Sequence, residues 1–345
     1  MGYSDETDYL RVDAFLKGVV EARSLATGLE TGLIDHLLTN GPSTAGEIEK
    51  RCAMDEKGAS MLLGLLHSNN VTEEHGGTIM LTAAFVKALQ YRDLLEAKLA
   101  FARLVLSDFT DLFTLLIAEP DQFFRSSRTF DLFAYGRAAE YSPENYELTK
   151  RWMRITTILT RYEARTCIGR YDFSPHRRML DIGGNSGEFV LQICRRHPGL
   201  RASILDLPLV CDIGREHLAR EQEAERIRFV EGNAFIDPLP GTFDLISFKS
   251  MLHDWPEKEA LFLMEKAALS LEPGGTLLIF ERVAMSAPAR TPPYCAIPIL
   301  LFFRYFRDPS FYERHLSDLG FRDILVTEIM LDAPFCLITA RKRET

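Results

Sequence analysis

The 345-residue chain has no Cys-x-x-Cys pair, no apolar run long enough to cross a bilayer and no surplus of basic charge. Each shortage removes a class of function. Its six cysteines (Cys52, Cys167, Cys194, Cys211, Cys295, Cys336) are scattered, which argues against a zinc site or a disulfide frame and fits small core residues of a reducing compartment. The longest apolar run, near Ile297 to Phe303, is broken by Pro298 and Arg304 and falls short of the roughly 20 residues a spanning helix needs. Acidic residues outnumber basic ones by 49 to 40, a formal net charge of −9, which disfavours nucleic acid or an anionic membrane as the main partner. The opening stretch Met1-Gly-Tyr-Ser-Asp-Glu-Thr-Asp is polar and acidic, unlike a signal peptide, so a cytoplasmic location is expected. With 46% apolar and 26% charged residues, the length admits two domains with a sizeable core.

What the sequence does contain is centred on residues 178–206. Met179 to Ile182 is an apolar run that stops at glycines, the pattern of a buried strand entering a tight turn. Gly183, Gly184 and Gly187 clear side chains from that turn, and Glu188 to Arg196 reads as a helix whose free N–H groups face it. A second strand ends at Asp206, nineteen residues after Gly187, the spacing at which an acidic side chain meets the hydroxyls of a ribose. The order Gly183-Gly184-Asn185-Ser186-Gly187 departs from the G-x-G-x-x-G dinucleotide fingerprint.

Residues 1–100 read as helices followed by a hairpin. Apolar faces run through Phe15, Val19 and Val20, then through Leu25, Leu29, Leu33, Leu37 and Leu38. Thr44 and Glu47 are spaced as a helix cap, Met54 to His67 is a helix, and Gly76-Gly77 turns a hairpin between Val71 and Leu81. This is a winged-helix arrangement, but its second helix carries only Lys57 as a basic residue, so packing or dimerisation is expected in place of DNA binding. The apolar surface exceeds what a domain of that size hides, and a homodimer built on it is predicted. Residues 101–170 form a helical, aromatic-rich linker (Phe109, Phe113, Phe123, Phe124, Phe130, Phe133, Tyr135, Tyr141, Tyr146, Trp152), suited to roofing a dry ligand pocket. Arg137 and Arg125 are candidate clamps for a ligand carboxylate, with Trp152 and Met153 as candidate pocket walls.

Residues 171–345 alternate strands and helices. Ile227–Glu231 is a third strand, followed by Gly232-Asn233-Ala234-Phe235, and Phe243–Phe248 is a fourth. Lys249-Ser-Met-Leu-His253-Asp254-Trp255 sits at that strand's carboxyl end, where ligands collect in open α/β sheets. Thr276 to Glu281 is the fifth strand, ending on a glutamate 28 residues after His253. Arg322–Thr327 and Phe335–Arg341 close the chain as an antiparallel hairpin.

The Asp181-x-Gly-x-x-x-Gly187 turn and the Lys249-x-x-x-His253-Asp254-Trp255 stretch resemble class I small-molecule O-methyltransferases of plants and bacteria, over nearly the whole chain. The resemblance implies a Rossmann-like, seven-stranded α/β methyltransferase domain, its last strand inserted antiparallel, preceded by a mainly α winged-helix-like dimerisation domain. It implies S-adenosylmethionine (SAM) as cofactor and S-adenosylhomocysteine (SAH) as product, with a small-molecule acceptor. Asp181, Gly183, Gly184, Gly187, Asp206, Leu207, Asn233, Ala234, Phe235 and Lys249 would then hold the cofactor. His253 would be the general base, assisted by Asp254 and Glu281.

Three positions depart from the family pattern. Asn185 replaces a glycine, Asn233 replaces an adenine-binding acid, and Phe306 stands where the family often has a second glutamate. The last departure keeps other chemistries open: carbon methylation of a 2-oxo acid enol, with a metal on His253 and His315, or a SAM-binding fold with non-methylating chemistry. A winged-helix regulator that senses SAM is the remaining alternative.

Overall fold

Residues 4–284 and 292–344 are described by a computed structural model. They divide into two compact units, Met1–Phe113 with Pro288–Leu300 and Thr114–Ala287 with Leu301–Thr345. Of the expected linker at 101–170, residues 101–113 fall in the first unit and 114–170 in the second.

In the first unit, α1 (Val19–Glu30), α2 (Leu33–Asn40), α3 (Ala45–Cys52) and α4 (Glu56–Ser68) precede a hairpin of β1 (Thr72–His75) and β2 (Thr78–Leu81). The cap read from the sequence forms in full, since the Thr44 side chain accepts from the Glu47 amide and Glu47 reaches back to the Thr44 amide. Leu62, Leu63 and Leu66 of α4 are buried, whereas Met61 is exposed. Most of the leucines are buried too; Val19, Val20, Leu38, Met61 and Val86 are the large apolar residues left on the surface here. After α5 (Ala83–Ala88) comes the 27-residue α6 (Arg92–Ala118). No helix among the described residues is long and apolar enough to cross a membrane.

The second unit opens with α7 (Pro120–Ser126), α8 (Arg128–Leu132) and the long α9 (Pro143–Arg170). Strands and helices then alternate: β3 (Arg178–Ile182), α10 (Glu188–Arg196), β4 (Arg201–Asp206), α11 (Pro208–Leu218), β5 (Ile227–Glu231), β6 (Phe243–Lys249), α12 (Glu257–Ser270) and β7 (Leu271–Arg282). The short α13 (Ile297–Leu301) falls almost wholly in the first unit; in the second, α14 (Pro309–Asp318) leads to β8 (Arg322–Met330) and β9 (Pro334–Arg341). Asp308 caps α14 and Pro309 opens it.

The strands form one seven-stranded sheet in the order β5-β4-β3-β6-β7-β9-β8, parallel except for β9, which runs antiparallel to both neighbours. Alternation along β3 sends Met179 into one core layer with Phe189 and Ile193 of α10, and Leu180 and Ile182 into the other with Leu263 and Met264 of α12. The chain leaves β3 to pair on one side with β4 and on the other with β6. That reversal opens a crevice at the carboxyl ends of β3, β4 and β6, the place where such sheets bind ligands.

Candidate functional site

The crevice begins with the glycine turn. Gly183 and Gly187 adopt φ of 68° and 78°, and Asn185 between them has φ 57°, a left-handed conformation asparagine tolerates better than most residues. A Cβ on Gly183 would stand 2.5 Å from Met251, so the turn closes directly against the loop that carries His253. Helix α9 holds the turn from the other side: Thr156 Oγ1 accepts from Asn185 Nδ2 at 3.2 Å, and Thr157 Oγ1 donates to Ser186 Oγ at 2.7 Å.

Two carboxylates lie at the strand ends beside this turn. Asp181 is buried and accepts from Ser247 Oγ at 2.5 Å, yet burial pushes its carboxyl up to about 7. Asp206 receives the amides of Asn185 and Leu207, both at 2.8 Å, and burial still pushes it up to about 6. Both groups would ionise more readily beside further donors or a cation. Asn233 Oδ1 accepts from the Phe235 amide at 2.9 Å, Ala234 is buried, and Phe235 packs edge-to-face on Trp255 at 4.6 Å. Lys249, expected at the cofactor, turns its ammonium toward α9, 2.5 Å from Glu163.

At the end of β6, Ser250 takes φ 48° and the chain folds over Glu281 of β7. Glu281 is fully buried; its Oε1 accepts from the Met251 and Leu252 amides at 2.7 and 2.8 Å. Its Oε2 accepts from His253 Nδ1–H at 2.5 Å, which leaves the Nε2 lone pair as the imidazole's basic site. Asp254 Oδ1 lies 3.4 Å from Nε2, and burial raises the Asp254 carboxyl to about 6 against the opposing pull of His253. Burial disfavours the imidazolium of His253, but Glu281 and Asp254 outweigh it and raise the ring above its usual 6.5. Arg307 donates to the Leu252 and Trp255 carbonyls, bracing the loop from outside.

Phe306 does take the place beside the histidine, its ring edge-on to His253 with centroids 5.5 Å apart. Of the linker aromatics, Phe123, Phe124, Phe130, Phe133, Tyr135 and Trp152 gather, whereas Phe109 and Phe113 pair with each other, Tyr141 is exposed and Tyr146 donates to Glu216. Phe124, Phe130 and Phe133 meet Phe302 and Tyr305, two residues the sequence reading missed. Tyr135 and Trp152 meet edge-on at 5.2 Å, and the Tyr135 hydroxyl interacts electrostatically with the Asp254 carboxyl. Met153 and Trp152 are buried, and neither Trp152 Nε1 nor Arg137 Nη1 has a hydrogen-bond partner among the described residues. Arg137 Nη2 donates to Asp131 at 3.0 Å, while Arg125 is exposed. His315 Nε2 is 3.8 Å from Glu265, so the two histidines considered for a shared metal face different partners. Among the described residues, no three His, Cys, Asp or Glu side chains gather as a metal site.

The sheet order, with its last strand inserted antiparallel, and a ligand crevice at the reversal after β3 define a class I methyltransferase fold. The profile of the O-methyltransferase domain family matches residues 117–322, and the chain belongs to this family of SAM-dependent methyltransferases. It is 28% identical over 275 residues to the 3-hydroxy-5-methyl-1-naphthoate 3-O-methyltransferase of Streptomyces sahachiroi, covering 76% of this chain and 74% of that one. To the mitomycin biosynthesis 6-O-methyltransferase of Streptomyces lavendulae it is 25% identical over 297 residues, covering 84% and 82%. The crystal structure of human N-acetylserotonin methyltransferase in complex with SAM shares the fold, with a TM-score of 0.63 at 22% identity over 93% of this chain and 94% of that one.

Proposed function

We propose that the chain transfers the methyl group of SAM to a hydroxyl of a small aromatic metabolite, with His253 as general base. The observation that carries this reading is the His253–Glu281 pair at 2.5 Å, whose geometry leaves Nε2 to take a proton. When bound, the cofactor supplies an electrophilic methyl group on a sulfonium.

The strand-end carboxylates fit that cofactor. Asp206, already holding two amides, retains acceptor capacity for ribose hydroxyls, and buried Asp181 suits the methionine ammonium. Gly183, Gly184 and Gly187 keep the turn tight, Leu207 fixes the Asp206 rotamer through its amide, and Asn233, Ala234 and Phe235 form the adenine wall.

His253 Nε2 takes the acceptor proton as the hydroxyl oxygen becomes nucleophilic, and Glu281 stabilises the imidazolium that results. Asp254, 3.4 Å from Nε2, orients the ring. Phe306 shields the pair from water on one side. The buried, unpartnered Nη1 of Arg137 and Nε1 of Trp152 suit a polar or carboxylate group on the acceptor, with Met153 as apolar wall. Residues Val19, Val20, Leu38, Met61 and Val86 give the first unit an exposed apolar surface, which supports a homodimer.

The test is incubation of the protein with methyl-labelled SAM and a panel of hydroxylated aromatic acids. Labelled methyl ether and SAH in equal amounts are expected. Label found on carbon would overturn the oxygen-acceptor reading.

A further inference from the structure

Glu163 lies on α9, 86 residues before Lys249, and no sequence motif includes it. Its side chain is 4% exposed and bridges two cations. Oε2 is 2.5 Å from Lys249 Nζ, which also donates to Thr160 Oγ1 at 2.8 Å, and Oε1 accepts from Arg282 Nη2. Lys249 is the last residue of β6 and Arg282 the last of β7. His253 follows the first by four residues, and Glu281 directly precedes the second. Arg282 is further fixed by the Phe335 ring, 4.6 Å away. Two turns earlier on the same helix, Thr156 and Thr157 grip Asn185 and Ser186 of the glycine turn.

We infer that Glu163 is a positioning residue for methyl transfer: by clamping Lys249 and Arg282 it seats His253 on Glu281 and registers that pair against the helix that holds the cofactor turn. A buried carboxylate shared by two cations has a defined geometry, because breaking either pair leaves a charge without a partner in a poorly solvated place. The clamp also sets the charge felt by the imidazole. The titratable and charged groups around His253 are Glu281 and Arg282 from β7, its neighbour Asp254 with Tyr135 beside it, Arg307 just before α14 and Tyr312 in its first turn. Among the described residues, Arg282 is the one of these bonded to Glu163. Arg282 disfavours the imidazolium, and Glu163, itself pulled down to about 2 against burial by Arg282 and Lys249, offsets that charge.

This inference rests on His253 as the base, but its test needs no acceptor. The His253 ring is titrated by NMR in the SAH-bound protein, and SAH affinity is measured by calorimetry. In Glu163→Gln the imidazole pKa is expected to fall by about half a unit or more, roughly a threefold change in protonation, with SAH affinity changed less than about threefold. Glu163→Asp keeps the charge and is expected to restore the wild-type titration. Should the single variant fail to fold, Glu163→Gln combined with Lys249→Gln removes one buried charge of each sign, and the same fall is expected. A folded variant with lowered melting temperature and an unmoved His253 titration would make Glu163 merely structural and overturn the inference. Failure of the general-base reading shows elsewhere, as undiminished methyl transfer in His253→Ala.

Discussion

Glu281 binds His253 and the loop that presents it with one carboxylate: Oε2 takes the ring Nδ1–H at 2.5 Å while Oε1 takes the amides of Met251 and Leu252. Its charge and its shape therefore do separate jobs. Glu281→Gln keeps an oxygen for the two amides but removes the charge that favours the imidazolium. The His253 pKa is expected to fall, moving the acid limb of the rate–pH profile to lower pH, with turnover reduced. NMR titration of the ring checks the first part, and an unmoved titration would refute it.

His253→Ala separates chemistry from binding. Turnover of labelled SAM with an accepted aromatic hydroxy acid is expected to fall by roughly 10²–10⁴, the usual share of a positioned base. SAH affinity by calorimetry should stay near wild type, because the strand-end carboxylates lie on β3 and β4 and the glycine turn follows β3. The residual rate should rise with pH as the acceptor ionises unaided.

Asp206→Ala should weaken SAM and SAH together. A lost charged hydrogen bond is worth roughly 1.5–3 kcal/mol, or about ten- to a hundredfold in affinity. Equal calorimetric affinity in wild type and variant would remove Asp206 from the cofactor site.

Stability and cofactor affinity should depend on pH in opposite senses. Asp181, Asp206 and Asp254 have folded values of about 7, 6 and 6 against an ordinary 3.8. Between those values the free native protein binds more protons than the unfolded chain, so their contribution falls as pH rises from about 4 to 7. His253, raised above 6.5, acts in the same direction: its contribution is full below 6.5 and is lost as pH rises through the folded value. Glu163 opposes them, contributing above its usual 4.5 and losing that contribution as pH falls toward about 2. SAH, which favours the ionised carboxylates, should bind at least about tenfold more tightly at pH 8 than at pH 5. Calorimetry giving one affinity across that range would contradict the assignment of Asp181 and Asp206.

Phe306→Glu tests the family departure directly. A carboxylate placed against the His253 ring should raise its pKa further and move the acid limb upward. The buried charge should also cost roughly 3 kcal/mol or more of stability, visible as a lower melting temperature.

Much of this protein is determined locally and is legible in the chain itself. The strand–glycine–helix unit at 178–196, the Thr44–Glu47 cap, the Asp308-Pro309 helix start and the terminal hairpin follow from backbone preferences and alternation that neighbouring residues set. His253, Glu281 and Phe306 stand out in the sequence because strand ends and motif spacing mark them. Only the tertiary structure decided their partners. Glu163 reaches Lys249 and Arg282 across 86 and 119 residues, Tyr135 finds Asp254, and Arg307 braces the His253 loop, none with a spacing that sequence periodicity encodes. Lys249 shows the limit most plainly. Its position at the end of β6 follows from the pattern of the strand, but the direction of its ammonium depends on a carboxylate delivered by a distant helix, because a buried charge settles where its counter-charge is.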